Sequence, residues 1–348
     1  MHKHGTISQK IRFPVKYFLQ AKAQKSRAAS SKAQIETEKL NVRQKILSLY
    51  FSIYSTQKIL ELTKANMQTV KEFARVAEKK YAAGKSPQGD SMKAHFELTQ
   101  LELDLLRLHQ EDEALQAELN AIVNSNKLIR LDFLNITLST PKFNASAIPD
   151  SMDQLFSTLK ESSPQIQSKT HLLKEAEYKS TLAQWEFAPD IQLQYQQRIS
   201  GEPIDSKIYS VALSFPLWFW RKSAEASVAT SQKITQKITQ NYRLIDALQK
   251  TSAKVKDLKG KVETGVKTLK IYETSLIPQA QGAYNSTRAS YSANKTSFLD
   301  LLDSERSLYK VKTGFFQTLR LYVMQLSQLE VETGQIISDI KDYNGVKK

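Results

Sequence analysis

The chain has 348 residues, with 50 Lys and Arg against 35 Asp and Glu, and only ten glycines and nine prolines. That composition is mainly helical with few breaks, and the absence of cysteine excludes disulfides, thiolate zinc sites and a lipidated N-terminal cysteine. The net charge of +15 would suit nucleic acid or an anionic membrane surface, but Lys and Arg alternate with Gln, Ser, Thr and Glu along helical stretches. No basic cluster is interleaved with stacking aromatics, so solvated helix faces are expected and no nucleic-acid partner.

Met1, His2, Lys3, His4 and Gly5 are polar and lead straight into a strand-like run, with no signal-peptide core or cleavage site. Either the chain stays where it is made or its true N-terminus is missing. Residues 7–13 alternate loosely, with Ile7, Ile11 and Phe13 on one face, Ser8, Lys10 and Arg12 on the other, and Gln9 as the exception. From Tyr17 to about residue 83 the text is helical, a rod of about 100 Å at 1.5 Å per residue. No single-chain core buries such a rod on all sides.

A turn follows at 86–90, with Pro87 and Gly89. Beyond it Leu98, Leu101, Leu105, Leu108, Leu115, Leu119 and Ile122 keep a coiled-coil spacing broken only at Asp112. Residues 124–163 carry Pro141 and Pro149 and read as a connector with short elements. Pro164 then opens a helix to about residue 187.

Residues 191–196 alternate apolar and polar without error, and 209–215 do so with Ala212 as a small member, around a turn-rich loop at 200–205. This is a β-hairpin with one apolar face, which alone is barely stable in water and needs lipid or neighbouring strands. No stretch approaches the roughly 20 apolar residues of a spanning helix, so any membrane would be crossed by strands. Trp218, Phe219 and Trp220, with Arg221 and Lys222, fit a membrane-interface girdle, or else a hydrophobic plug capping a helix. Tyr17 and Phe18 are a paler version after Pro14.

The plan occurs twice. A strand ending in Phe13 and Pro14 feeds a long helix closing on Tyr81, Ala82, Ala83, Gly84 and Lys85; another, ending in Phe215 and Pro216, feeds one closing on Tyr291, Ser292, Ala293, Asn294 and Lys295. Asp90 and Asp300 follow the two tips at equal distance. Gly84 and Asn294 suit left-handed turns that end helices. Four regions are expected: residues 1–126 as an incomplete first repeat of one strand and a helical hairpin; 127–163 as connector; 164–340 as the second repeat with helix, β-hairpin and helical hairpin; and 341–348 as a polar tail.

Phe187, Ala188, Pro189 and Asp190 before a strand, Leu213, Ser214, Phe215, Pro216 and Leu217 after it, Ile277 and Pro278, and the run 291–303, in this order, resemble the TolC-type outer-membrane efflux proteins. The resemblance implies a mainly α fold of very long antiparallel coiled-coil hairpins forming an α-barrel, with a few strands entering a shared trimeric β-barrel. It also implies a passive conduit in the outer membrane, extending into the periplasm, of a tripartite efflux or type I secretion system. The partners would be two further copies, a periplasmic adaptor, an inner-membrane transporter and outer-membrane lipid. Asp300 and Asp303 match the acids that ring the narrowest part of the tunnel, and Asp90 with Tyr291 match a contact that keeps the tip shut. The basic partner of that lock would fall at Thr296, with Lys295 adjacent. Without a family role, Asp300 is a helix N-terminal acid and Asp303 an exposed one. Family members also begin with a helix and strand ahead of the first Phe-Pro, so this chain is expected to bring three strands where they bring four.

The five histidines never share metal-ligand spacing on a helix face, and no phosphate loop or nucleophile elbow occurs, so no enzyme, metal or cofactor is expected. A second reading remains open: a soluble basic coiled-coil scaffold. The alternating hairpin at 190–215 discriminates, since a scaffold has no use for its apolar face.

Overall fold

The computed structural model describes residues 3–124, 128–133, 136–199, 206–214 and 219–339. Strand β1 (Lys3–Ile11) is followed by helices α1 (Pro14–Ala82), α2 (Gln88–Val123), α3 (Met152–Ser162) and α4 (Pro164–Gln184). Strands β2 (Asp190–Ile199) and β3 (Ser206–Ser214) come next, then α5 (Phe219–Ile271), α6 (Ile277–Ser292) and α7 (Phe298–Thr333). The chain forms two compact units, each drawing on both halves of the sequence: Met1–Thr37 with Met152–Ser252, and Glu38–Ser151 with Ala253–Lys348.

In the first unit, the strands form one antiparallel sheet in the order β1-β2-β3. The strand expected at 7–13 begins and ends earlier, because Pro14 opens α1 and the Phe13 amide leaves the ladder to donate to Asp190 Oδ1 at 3.2 Å. Asp190 also receives the Lys16 ammonium at 2.9 Å, while that Lys16, only 4 % exposed, donates to the Ala188 carbonyl at 2.8 Å. The Phe-Ala-Pro-Asp motif is therefore an anchor between the start of α1 and the start of β2, and Trp185 stacks on Phe13. Further along α1, small residues Ala23, Ser30 and Ala33 are buried, and Ser30 meets Ser168 of α4 hydroxyl to hydroxyl at 2.9 Å.

Register puts Ile7, Tyr195 and Tyr209 in one cross-strand row, Gln9, Leu193 and Val211 in the next, and Ile11, Ile191 and Leu213 in a third. Within these three rows the apolar face is broken at Gln9 and is the one the alternation predicts, while the next row on the same side is Gly5, Gln197 and Lys207. Ile7, Tyr209 and Val211 on the apolar face are more than 70 % exposed.

In the second unit, α1, α2, α6 and α7 pack through seams of the expected kind. Leu101, Leu108 and Leu119 of α2 are buried, and the break at Asp112 is buried as well, its carboxylate accepting from Gln57 Nε2 at 3.0 Å. An aromatic knot of Phe51, Tyr54, Phe133 and Phe316 fixes the middle of α1 against α7 and the connector. The connector's backbone is paired by side-chain amides: Gln116 exchanges two hydrogen bonds with Leu131, at 2.8 and 3.1 Å, and Asn120 two with Ile129, at 2.8 and 2.7 Å. Between α5 and α6 the helix widens into a π turn at Tyr272–Leu276, where Pro278 removes a donor that an α-helix would use. Among the described residues, no helix is long and apolar enough to cross a membrane.

Candidate functional site

The two helical tips lie in the second unit and share a backbone design. At the first, Gly84 sits at φ +69° and the Lys85 amide closes back onto the Lys80 carbonyl at 2.8 Å. At the second, Asn294 sits at φ +54° and the Lys295 amide closes onto Ser290 at 2.8 Å. Glycine takes the left-handed region without strain, and asparagine is the next best choice. Asp90 and Asp300 each fall three residues beyond the N-cap of the returning helix, so their equal spacing in sequence is an equal place in structure.

Their chemistry differs because the caps differ. Ser297 forms a capping box with Asp300: the Asp300 amide donates to Ser297 Oγ, while the Ser297 amide and hydroxyl and the Thr296 hydroxyl donate to Asp300 Oδ2 at 3.1, 2.7 and 2.7 Å. Those bonds, from Ser297 first and then Thr296, hold the Asp300 carboxyl below its ordinary range. Pro87 caps α2 with neither hydroxyl nor N–H, so Asp90 is not drawn back in this way.

Tyr291 is buried, in a cluster with Phe73, Ala77, Ala94, Phe298 and Leu302. Burial first, and the charge of Asp90 second, raise its phenol above the ordinary value. Neither Thr296 nor Lys295 supplies the cation at this tip. Lys80, in the last turn of α1, does: its Nζ donates to Asn294 Oδ1 at 2.9 Å and lies 3.9 Å from the centre of the Tyr291 ring. Sequence reasoning missed Lys80, which reads as one of two adjacent solvated lysines.

Asp303 has a side chain 61 % exposed and an Arg306 guanidinium at 3.6 Å. That same Arg306 donates through Nε to Glu97 of α2 at 2.9 Å, and Arg320 pairs with Glu111 at 2.6 Å, so two ion pairs tie α7 to α2. In the first unit Tyr17 and Phe18 are 49 % and 69 % exposed, in keeping with an outward aromatic pair. Trp218 lies outside the described residues, as do the side chains of Phe219 and Trp220.

No protein-family model matches the chain. The cobalt-zinc-cadmium resistance protein CzcC of Cupriavidus metallidurans is 20 % identical over 292 residues, covering 80 % of this chain and 64 % of its own. The chain thus spans less than two thirds of that curated relative. Among solved structures, a membrane protein from Pseudomonas aeruginosa superposes with a TM-score of 0.79 at 15 % identity, over 96 % of this chain and 84 % of that one. The Campylobacter jejuni CmeC outer membrane channel does so at 0.77 and 14 % identity, over 97 % and 78 %. The mainly helical fold with a few strands that the motifs implied is therefore the fold observed, and it is the fold of the CmeC outer membrane channel.

Proposed function

We propose that the chain is an outer-membrane channel subunit, a passive export conduit whose copies close a common barrel and whose helical tips act as the gate. The observation that carries this reading is the β1-β2-β3 sheet. Its apolar face is solvent-exposed, its two outer strands have edges unpaired among the described residues, and its other face carries Gln192, Gln194, Ser8 and Ser210. Such a sheet is consistent with lipid outside, polar lumen inside, and neighbouring copies at both edges.

The second unit supports association independently. Met92, Phe96, Leu103 and Leu106 of α2 are all more than 60 % exposed, on a 4-7-3 spacing that keeps one face of the helix. This second seam suits a copy of the chain or a helical adaptor, and a groove of about 400 Å³ lined by Met92, Phe96 and Leu299 offers a docking place beside the tip. Homotrimer, adaptor, inner-membrane transporter and lipid follow from the resemblance.

Asp300 and Asp303 are proposed as acidic rings in the throat, where the cap on Asp300 keeps it ionised. The tip lock is proposed as Asp90, Tyr291 and the Lys80 clasp. The CzcC likeness makes divalent metal ions the first substrate class to assay. Reconstituted in planar bilayers, the protein should give cation-preferring conductance that rises, or loses its block by multivalent cations, in Asp300→Ala with Asp303→Ala. Absence of conductance from inserted protein would remove the channel; an unchanged double variant would remove the gate.

A further inference from the structure

Helices α1, α6 and α7 of the second unit border a partly open cavity of about 180 Å³ that no part of the conduit reading uses, lined among others by Asn66, Tyr284, Glu305 and Lys312. Two of these side chains are buried with polar atoms that make no hydrogen bond: Nδ2 and Oδ1 of Asn66, 7 % exposed, and Oε2 of Glu305, 5 % exposed, which the Asn66 amide faces. The groups that could compensate a charge are engaged elsewhere. Lys312 donates to Gln281 Oε1 at 3.0 Å, the Tyr309 hydroxyl meets Thr63 at 2.8 Å, and Arg306 is committed to Glu97. An ionised carboxylate without partners is poorly tolerated in such a place, whereas a protonated one gains a donor to offer and loses the need for a counter-charge.

We propose that Glu305 and Asn66 form a buried proton-binding site that couples protonation of one carboxyl to the packing of α7 on α1 and α6. With its proton, Glu305 can donate to Asn66 Oδ1 and the helices stay packed around the pair. Without it, the carboxylate faces the like charge of Glu97 on α2 with the Asn66 amide as its nearest donor, and the partners it still lacks must come from water, which loosens the helix pair. Burial pushes the Glu305 carboxyl up to about 7, helped by Glu97 and opposed by Asn66, Arg306 and Lys312. Facing it from α6, the Tyr284 phenol is raised by burial first and lies near Arg288, Glu305 and Glu72. On α7, the Tyr309 phenol is likewise raised by burial, with Asp104 and Arg107 of α2 nearby. Both phenols stay neutral across the relevant range.

The sign follows from a raised carboxyl. A solvated glutamate ionises near 4.5, the packed one near 7, so packing is strongest at low pH and weakens as pH rises between these values. This coupling belongs to a single copy of the chain and stands or falls apart from channel formation.

The test is hydrogen exchange on the full chain at about pH 6 and about pH 8, corrected for intrinsic rates. Local opening of segments 60–72, 277–292 and 300–315 should be about tenfold larger at the higher pH. Glu305→Gln should stay protected at both, and Asn66→Asp, which adds a second carboxylate, should move the midpoint to higher pH. Equal wild-type protection at the two values overturns the proposal. So does a wild-type pH response in Glu305→Gln, which would assign the effect to another group. If Glu305→Gln fails to fold, an unmoved midpoint in Asn66→Asp overturns it equally.

Discussion

Lys80 illustrates how one side chain can serve two contacts at a tip. Its ammonium is offered at once to an amide oxygen and to an aromatic face, so losing either partner removes part of one shared interaction. Lys80→Met and Asn294→Gly should each cost about 1 kcal/mol of tip stability, and the double variant little more than either. Asn294→Ala should cost more than Asn294→Gly, because alanine in the left-handed region is strained by about 1 kcal/mol. Exchange protection over 289–296 reads all four. At the neighbouring cap, Ser297→Ala should fray the first turn of α7 by about 1 kcal/mol. Asp300 has a depressed carboxyl, so its help to that turn is present above the ordinary carboxylate range and lost as pH falls through the folded value. Amide protection of Leu301 and Leu302 should therefore drop at acid pH in the wild type and be low throughout in Ser297→Ala.

At the level of elements, close helix approach decides what substitutions do. A methyl on Gly265 of α5 would sit 3.0 Å from Tyr322 Cδ2, and Tyr322 cannot retreat: it is 1 % exposed and its hydroxyl donates to the Pro141 carbonyl at 2.6 Å. In an open helix Gly→Ala gains about 1 kcal/mol, but against a fixed ring overpacking costs about 1–3 kcal/mol. Gly265→Ala should accordingly lower the urea midpoint, while Gly260→Ala, with open space around it, should raise it. The helices themselves were readable because apolar spacing and the scarcity of Gly and Pro leave few alternatives. The connector was not, since what orders it is Gln57, Gln116 and Asn120, polar helix residues whose partners lie up to 76 positions away. Asp112 shows the same limit: an error in the seam by sequence, a buried acceptor in the fold.

For the whole molecule, the exposed sheet face gives the sharpest test of membrane insertion. Val211→Arg should cost about 2–4 kcal/mol of folding into lipid vesicles if it lies near the bilayer midplane, whereas Ser210→Arg, on the polar face, should be tolerated. Comparable loss from both would argue against a lipid-facing surface. Phe96→Asp with Leu103→Asp should weaken self-association in detergent, measured by mass photometry, without unfolding the monomer, since neither side chain contributes to its core.

The sequence by itself determined the long helices, the strands, the tip turns and the apolar face of the sheet, because these depend on periodicity and on turn residues a few positions apart. Only the tertiary structure decided which polar side chains matter. Lys80 finds Asn294 across 214 positions and Arg306 finds Glu97 across 209, while Glu305 is buried with its Oε2 unpaired; nothing local marks these residues. The energy of a charge depends on what surrounds it, and in long packed helices those surroundings come from distant parts of the chain.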